Sequence, residues 1–283
     1  MKKGLVLEGG GLRGLFTAGV MDAMMDSDVT FDGLIGVSAG ALFGCNMKSR
    51  QRGRVLRYNL MLKDEPRYMS VRNLLRDGEL VGSEFAYHTL PFELDLFDVE
   101  TFERNPMEFW MVCTDIERAE PVYHRMSVVN RTEMAWMRAS GSMPAVSHPV
   151  ELDGRVMLDG GISDSIPLAA FQRMGYERNI VVLTQPCSYR KKPTHIAWLI
   201  GLFTRRYPRV AEMMRRRHLM YNAELDFIAR EAARGDTLLI YPDEPLGIGR
   251  TELDEAKMRR VYQQGYDKAM AMMPAIKSFL DRG

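Results

Sequence analysis

A short apolar run, Gly4-Leu5-Val6-Leu7-Glu8, stops at Gly9-Gly10-Gly11-Leu12-Arg13-Gly14, and Leu15-Phe16-Thr17-Ala18-Gly19-Val20-Met21 follows at once. This succession constrains the fold more than any other stretch of the chain. The first run has strand length and the last reads as an apolar helix, so the glycines mark a tight strand-to-helix turn. Strands that feed helices in this way build parallel sheets. The rhythm repeats, with a strand over 4–8, a helix over 14–25, a strand over 32–37, a helix over 39–48 and a strand over 108–113. It predicts an α/β fold: a mainly parallel central sheet with helices on both faces.

The second turn carries chemistry. Gly36-Val37-Ser38-Ala39-Gly40 is a G-x-S-x-G at the end of an apolar run. Such a pattern lifts a serine hydroxyl onto a sharp bend, where small neighbours avoid backbone clashes and the next helix offers free N–H groups. The first glycine turn admits three uses: an oxyanion hole of backbone N–H donors, a phosphate cradle of dinucleotide type, or a tight turn alone. Gly9, Gly11 and Gly14 have the dinucleotide spacing, but that use needs an acid at the end of the second strand to hold a ribose. Ser38 stands there, and the nearest acid, Asp32, lies at the strand's start. An oxyanion hole over Gly9, Gly10, Gly11, Leu12, Arg13 and Gly14 is therefore favoured, with donors near Gly10, Gly11 and Leu12. A nucleotide-binding protein is the alternative from another class.

Across 283 residues, a hydrophobic fraction of 46% supplies a sizeable core, and a formal net charge of +1 gives no electrostatic footprint for nucleic acid. Cys45, Cys113 and Cys187 are scattered, and the five histidines lack metal-ligand spacing, so no metal and a reducing cytoplasm are expected. No apolar run reaches about 18 residues, and the first strand is too short for the core of a signal peptide. Neither a transmembrane helix nor a leader is expected. The 22 methionines are core filler, or in part the lining of a pliable acyl-chain pocket.

Residues 50–105 are irregular. Arg50, Arg52, Arg54 and Arg57 form a basic run, either a solvated helix face or an attraction for anionic head groups. Then come a helix over 131–139, a small-residue loop Ala139-Ser140-Gly141-Ser142-Met143-Pro144-Ala145, and strands over 155–158 and 180–184. Past Thr184 the chain turns polar with two prolines, which sets a catalytic domain over 1–184 and a mostly helical C-terminal extension over 185–283 packed on it. In that extension, the segment from His195 to Phe203 is apolar and precedes Arg205, Arg206 and Arg209, which suits a buried helix or an interfacial one. A long charged helix over 210–234, a strand over 237–241 and a helix over 251–281 complete it.

A serine hydroxyl needs a base. Among His88, His124, His148, His195 and His218, only His148, near the small-residue loop, has a claim. Asp159 has a better one. It ends a predicted strand, and Gly160 and Gly161 let backbone approach its carboxylate. Taken alone, Asp159-Gly160-Gly161 also reads as a plain turn.

As a set, Gly9-Gly10-Gly11-Leu12-Arg13-Gly14, Gly36-Val37-Ser38-Ala39-Gly40 and Asp159-Gly160-Gly161 resemble the signatures of patatin-like phospholipases. Ala139-Ser140-Gly141-Ser142-Met143-Pro144 resembles that family's small-residue segment ending in proline. The resemblance spans residues 4–172 and is nearest to bacterial cytosolic members with a C-terminal helical extension. It implies a three-layer α/β/α fold, a Ser38–Asp159 dyad and a lipid or ester substrate, with no histidine, cofactor or metal. Gly36, Gly40, Gly160 and Gly161 then support the two reacting residues. The expected function is a lipid acyl hydrolase of phospholipase A or esterase type, working through an acyl-serine. An acyltransferase, in which another hydroxyl replaces water, is the near alternative. Arg13 is expected to brace the turn rather than meet a head-group phosphate, because the family's motif keeps a basic residue there whatever the substrate. The expected location is cytoplasmic, with peripheral contact to an anionic membrane left open and oligomeric state unspecified. A free carboxylate titrates near pH 3.9, against about 6.5 for imidazole, so Asp159 needs burial to serve as a base.

Overall fold

The computed structural model describes residues 1–195 and 197–281. Residue 196 of the apolar segment and residues 282–283 of the C-terminal extension lie outside the described residues.

β1 (Lys2–Leu7) leads through the glycine turn into α1 (Gly14–Asp26), and β2 (Gly33–Val37) bends at Ser38 into α2 (Ala39–Lys48). The irregular stretch holds α3 (Arg54–Met61), α4 (Val71–Asp77), a wide-turned helix over Phe85–Leu94, and α5 (Val99–Arg104). β3 (Glu108–Asp115) and β4 (Glu120–Met126) form a hairpin, followed by α6 (Arg131–Gly141). β5 (Val150–Leu152) and β6 (Arg155–Asp159) form another, and α7 (Leu168–Arg173) precedes β7 (Tyr176–Val182). α8 (Ala197–Phe203), α9 (Pro208–Arg234), β8 (Thr237–Ile240) and α10 (Glu255–Asp281) complete the described chain.

All eight strands join one mixed sheet in the order β5-β6-β3-β2-β1-β7-β8, with β4 also paired to β3. β3, β2, β1, β7 and β8 are parallel, as the strand-helix rhythm predicts. β4, β5 and β6 add antiparallel pairings. β4 escapes sequence reading because Glu120-Pro121-Val122-Tyr123-His124-Arg125-Met126 has no alternating apolar pattern, and its proline suits only an edge. β2 and β6 share one edge of β3 and meet head to head. Val37 lies opposite Val112, and Asp159 lies opposite the next residue, Cys113.

Strand side chains alternate between two faces. Leu5 and Leu7 pack with Leu15, Phe43, Met134 and Ile276, which come from α1, α2, α6 and α10. Val6 packs with Phe171, Leu225 and Ile228 from α7 and α9. Helices thus cover both faces, and each fully buried Leu or Val contributes about 1.5–3 kcal/mol. Residues beyond 184 finish this core. β8 extends the sheet beside β7, and α10 lies along α1. The two helices touch through glycines. A Cβ added at Gly19 would sit 2.0 Å from the Tyr262 carbonyl oxygen, and one at Gly265 would sit 1.9 Å from that of Phe16.

The basic run is a solvated face at Arg50, Arg52 and Arg57, which are exposed, whereas Arg54 is buried; each charge is paired. Arg50 pairs with Asp28, Arg52 with Asp26, and both Arg54 and Arg57 with Asp95. Arg54 and Asp95 are buried together, with Nε and Oδ1 3.1 Å apart.

Candidate active site

Ser38 adopts φ 54° and ψ −124°, a conformation a side chain takes only under strain. Two glycines make the bend fit. A Cβ at Gly36 would lie 2.5 Å from the Gly40 carbonyl, and one at Gly40 would lie 2.4 Å from that of Leu7. The Ser38 carbonyl accepts the N–H groups of Ala41 and Leu42 at 2.9 and 3.0 Å, which starts α2. The Ser38 N–H donates to Ser140 Oγ at 3.1 Å, and that hydroxyl donates to the Val112 carbonyl at 2.8 Å. α6, capped by Asn130 accepting the Glu133 N–H, delivers Ser140 to this position.

Asp159 is 1% exposed and held on all sides. Its N–H donates to the Ser142 carbonyl at 2.8 Å, and its carbonyl accepts the Thr114 hydroxyl at 2.8 Å. Oδ1 accepts the Gly161 N–H at 2.8 Å, while Oδ2 is buried with no hydrogen-bond partner. Burial pushes the carboxyl pKa up; the Ser38 hydroxyl, the charge on Arg217 and the Gly161 N–H pull it back. The hydroxyl is near enough to favour the ionised carboxylate, although no hydrogen bond of full geometry joins the two. Such looseness is usual without a ligand. Gly160 packs on β3, where a Cβ would lie 2.3 Å from the Val112 carbonyl oxygen.

The glycine turn lies against the serine: a Cβ at Gly9 would be 2.9 Å from Ser38 Cβ. Among the described residues, no acceptor engages the N–H of Gly10 or Gly11. Leu12 differs from expectation, because its N–H already donates to the Arg250 carbonyl at 3.1 Å. The Gly14 N–H is likewise taken, by the carbonyls of Gly11 and Leu12. Among the described residues, Arg13 Nε is buried without a hydrogen-bond partner. Burial lowers its pKa, and Glu8 opposes the shift. Asp32 accepts the Lys3 N–H at 2.7 Å, at the opposite end of the strands, so it cannot hold a ribose beside this turn.

Among the described residues, no histidine hydrogen-bonds to Ser38 or Asp159. His148 contacts the Asp77 carbonyl at 2.7 Å and His124 contacts Glu133 at 2.8 Å. His218 lines the cavity but turns Nδ1 to the Arg215 carbonyl of its own helix.

Ser38 and Asp159 open on a cavity of about 630 Å³, within the usual range for small-molecule sites. Leu42, Phe43, Tyr58, Leu90, Met134 and Met137 line its apolar part; Arg13, Lys191, Arg217 and Arg250 line its polar part. Met21, Met24 and Met157 fill the core, while Met134 and Met137 line the cavity.

The model of the patatin-like phospholipase family matches residues 5–171. The chain belongs to the patatin-like phospholipase family. A second model, of a domain of unknown function named DUF6363, matches residues 207–281. The uncharacterized protein YjjU of Escherichia coli is 34% identical over 194 residues, 64% of this chain and 52% of that protein. Lysophospholipase nte1 of Emericella nidulans is 31% identical over 177 residues, 61% of this chain and 11% of that protein. The chain thus spans about half the length of the E. coli relative. Among solved structures, VipD from Legionella pneumophila aligns over 97% of this chain and 67% of that chain, with a TM-score of 0.48 and 13% identity.

Sequence reading of the family motifs missed several residues around the site. Glu8 directly follows β1 and is buried; its Oε1 accepts the Tyr221 hydroxyl at 2.6 Å while Oε2 accepts the Thr184 N–H at 2.6 Å. An acid closing an apolar strand was its signal. Arg217 donates to the Gly161 carbonyl and reaches Ser165 Oγ at 3.4 Å. Arg217, Lys191 and Arg250 lie outside every family signature, so only the fold reveals them.

Proposed function

We propose that this chain hydrolyses acyl esters of lipids, with Ser38 as nucleophile and Asp159 as its base. One observation carries the reading: a buried carboxylate oxygen without a partner lies beside a serine held on a strained turn, at the head of a partly apolar cavity. Asp159 Oδ2 takes the Ser38 proton as Oγ bonds to the acyl carbon. The carbonyl pair moves onto its oxygen, which the N–H groups of Gly10 and Gly11 receive; such donors are worth about 10²–10³ in rate. The C–O bond to the alcohol breaks, and Asp159 returns the proton to that oxygen, leaving acyl-Ser38. Water repeats the sequence, releasing a fatty acid and free Ser38. Family membership and relatives named lysophospholipase support the lipid-ester class. An acyltransferase differs only in its acceptor.

The substrate arrives from a lipid surface. Trp198, Leu199 and Leu202 are exposed on α8, Leu199 and Ile200 line the cavity, and exposed Arg205 and Arg206 follow. This edge lies on the aggregate, arginines toward anionic head groups. Among the described residues, no helix is long and apolar enough to cross a membrane. Flotation with anionic liposomes at low salt should carry the protein, and Trp198→Ser with Leu202→Ser should leave it behind.

A fluorophosphonate tests the chemistry. It should label Ser38, and Ser38→Ala should abolish both the label and turnover of a short nitrophenyl ester. A label on another serine, or near-parent turnover in the folded variant, would end this reading.

A further inference from the structure

Four cationic side chains, Arg13, Lys191, Arg217 and Arg250, gather at the polar end of the cavity. Among the described residues, none of the four has a carboxylate in salt-bridge contact. The buried Arg54, by contrast, pairs with Asp95. Arg217 gives its hydrogen bonds to uncharged atoms, the Gly161 carbonyl and the Ser165 hydroxyl. Lys191 Nζ sits 4.6 Å over the Tyr221 ring, and Arg13 Nε is buried with no acceptor. Among the described residues, the carboxylates that line the cavity are Glu8 and Asp159. Glu8 is committed to Tyr221 and Thr184, and Asp159 to Gly161 and its place beside Ser38.

Such an arrangement has a cost. Burial first, then Arg217 and Arg250, push the Lys191 ammonium down to about 8. Unpaired cations crowded together destabilise a fold, and a chain with 37 acidic residues has the means to pair them. An entering anion relieves the repulsion, and arginine forks suit phosphate oxygens. The cluster also flanks the reacting groups from both sides. The Arg250 carbonyl holds the Leu12 N–H of the glycine turn, and Arg217 holds Gly161 next to Asp159.

Resting on the hydrolase reading, we infer that the chain selects acyl esters whose alcohol carries an uncapped phosphate monoester, held by Arg13, Lys191, Arg217 and Arg250. The acyl chain lies in the apolar part and the leaving alcohol at the cationic end. A phosphate capped by choline brings its own cation into an already positive site, where both carboxylates are engaged. The capped ester is therefore the poorer substrate.

Three monomeric substrates of one acyl chain decide it: 1-acylglycerol, 1-acylglycerophosphocholine and 1-acylglycerol 3-phosphate. The uncapped phosphate should give the highest kcat/KM. Lys191→Gln and Arg250→Gln should each reduce its preference over 1-acylglycerol by about ten- to a hundredfold, the range of one charge-assisted hydrogen bond. The loss should lie in KM, and Lys191→Arg should keep most of the preference. Equal efficiency on all three esters, preference for the choline ester, or an unchanged ratio in both Gln variants overturns the inference. An ether-linked alkylglycerol 3-phosphate, which cannot be cleaved, should bind Ser38→Ala in calorimetry, so the subsite is read without turnover. Inorganic phosphate should compete far more weakly than this ether. If it competes equally, the cluster holds a free ion and the assignment to substrate fails. Failure of the hydrolase reading looks different: no ester is cleaved, whatever the ether does.

Discussion

Asp159 accepts the Gly161 N–H at 2.8 Å through Oδ1, while its Oδ2, also buried, accepts nothing. One oxygen fixes the side chain, and in the proposed mechanism the other serves Ser38. Burial dominates, and holds the pKa above the ordinary aspartate range. In the proposed mechanism Asp159 acts as base only when ionised, so kcat/KM on a neutral nitrophenyl ester should fall as pH drops through that raised value, above the usual point near pH 3.9. A rate that stays flat down to pH 4 contradicts this. Asp159→Asn should remove about 10³-fold or more of the rate. The stability sign is opposite. The folded state binds this proton more tightly than the unfolded chain, so the contribution is full below the unfolded pKa and lost as pH rises through the folded one. Asp159→Asn should therefore melt higher than the parent at pH 8, with the gap shrinking toward acid.

Ser140 links the serine turn to the sheet, accepting from the Ser38 N–H and donating to the Val112 carbonyl in a fully buried position. Ser140→Ala leaves both backbone groups unsatisfied at a cost of about 1–3 kcal/mol each. It should lower the denaturant midpoint and reduce kcat, because the strained φ of Ser38 loses its tether. Ser140→Thr, which keeps the hydroxyl, should recover part of kcat. Equal loss in both variants would indicate packing rather than the hydrogen bond.

The legible parts of the fold were those where local chemistry is strict. The apolar run before Gly9 and the bend at Ser38 each demand a strand-turn-helix, and α1 and α2 begin where those turns predict, at Gly14 and Ala39. Asp159 was legible as a strand end. That it meets Ser38 came only from the family resemblance and not from local pattern, because this depends on β6 taking over the edge of β3 that β2 vacates after Val37. Register between distant strands leaves no local mark. The same holds for Leu12, whose N–H is taken by Arg250, a residue 238 positions away by subtraction of the two numbers. In the basic run, Arg50, Arg52 and Arg57 are solvated as alternating arginines suggest, and only Arg54 departs, because Asp95 reaches it in three dimensions.

Asp95 neutralises Arg54 and Arg57 at once, with Arg57 Nε 2.8 Å from Oδ2. Arg54 is buried and lines the cavity, so Asp95→Ala strands its charge. Removing one partner of a buried pair costs about 3–5 kcal/mol. Urea unfolding should show that loss. Arg54→Met combined with Asp95→Leu should restore much of it, since an apolar pair of similar volume leaves no stranded charge. If the single variant matches the parent, the pair is solvated in solution.

Gly265 tests whether the C-terminal helix is part of the core. In an ordinary helix interior, Gly→Ala stabilises by about 1 kcal/mol. Here the new methyl would lie 1.9 Å from the Phe16 carbonyl oxygen, a backbone atom of α1 that cannot swing aside. The sign should reverse, with a loss of about 1–3 kcal/mol from overpacking. Gly19→Ala meets the Tyr262 carbonyl from the other side of the same crossing, so the two losses should not add. Hydrogen exchange should show lost protection in α10 and α1, with the β5–β6 hairpin unchanged. A variant that melts at or above the parent temperature would mean that α10 packs less closely than the two glycines allow.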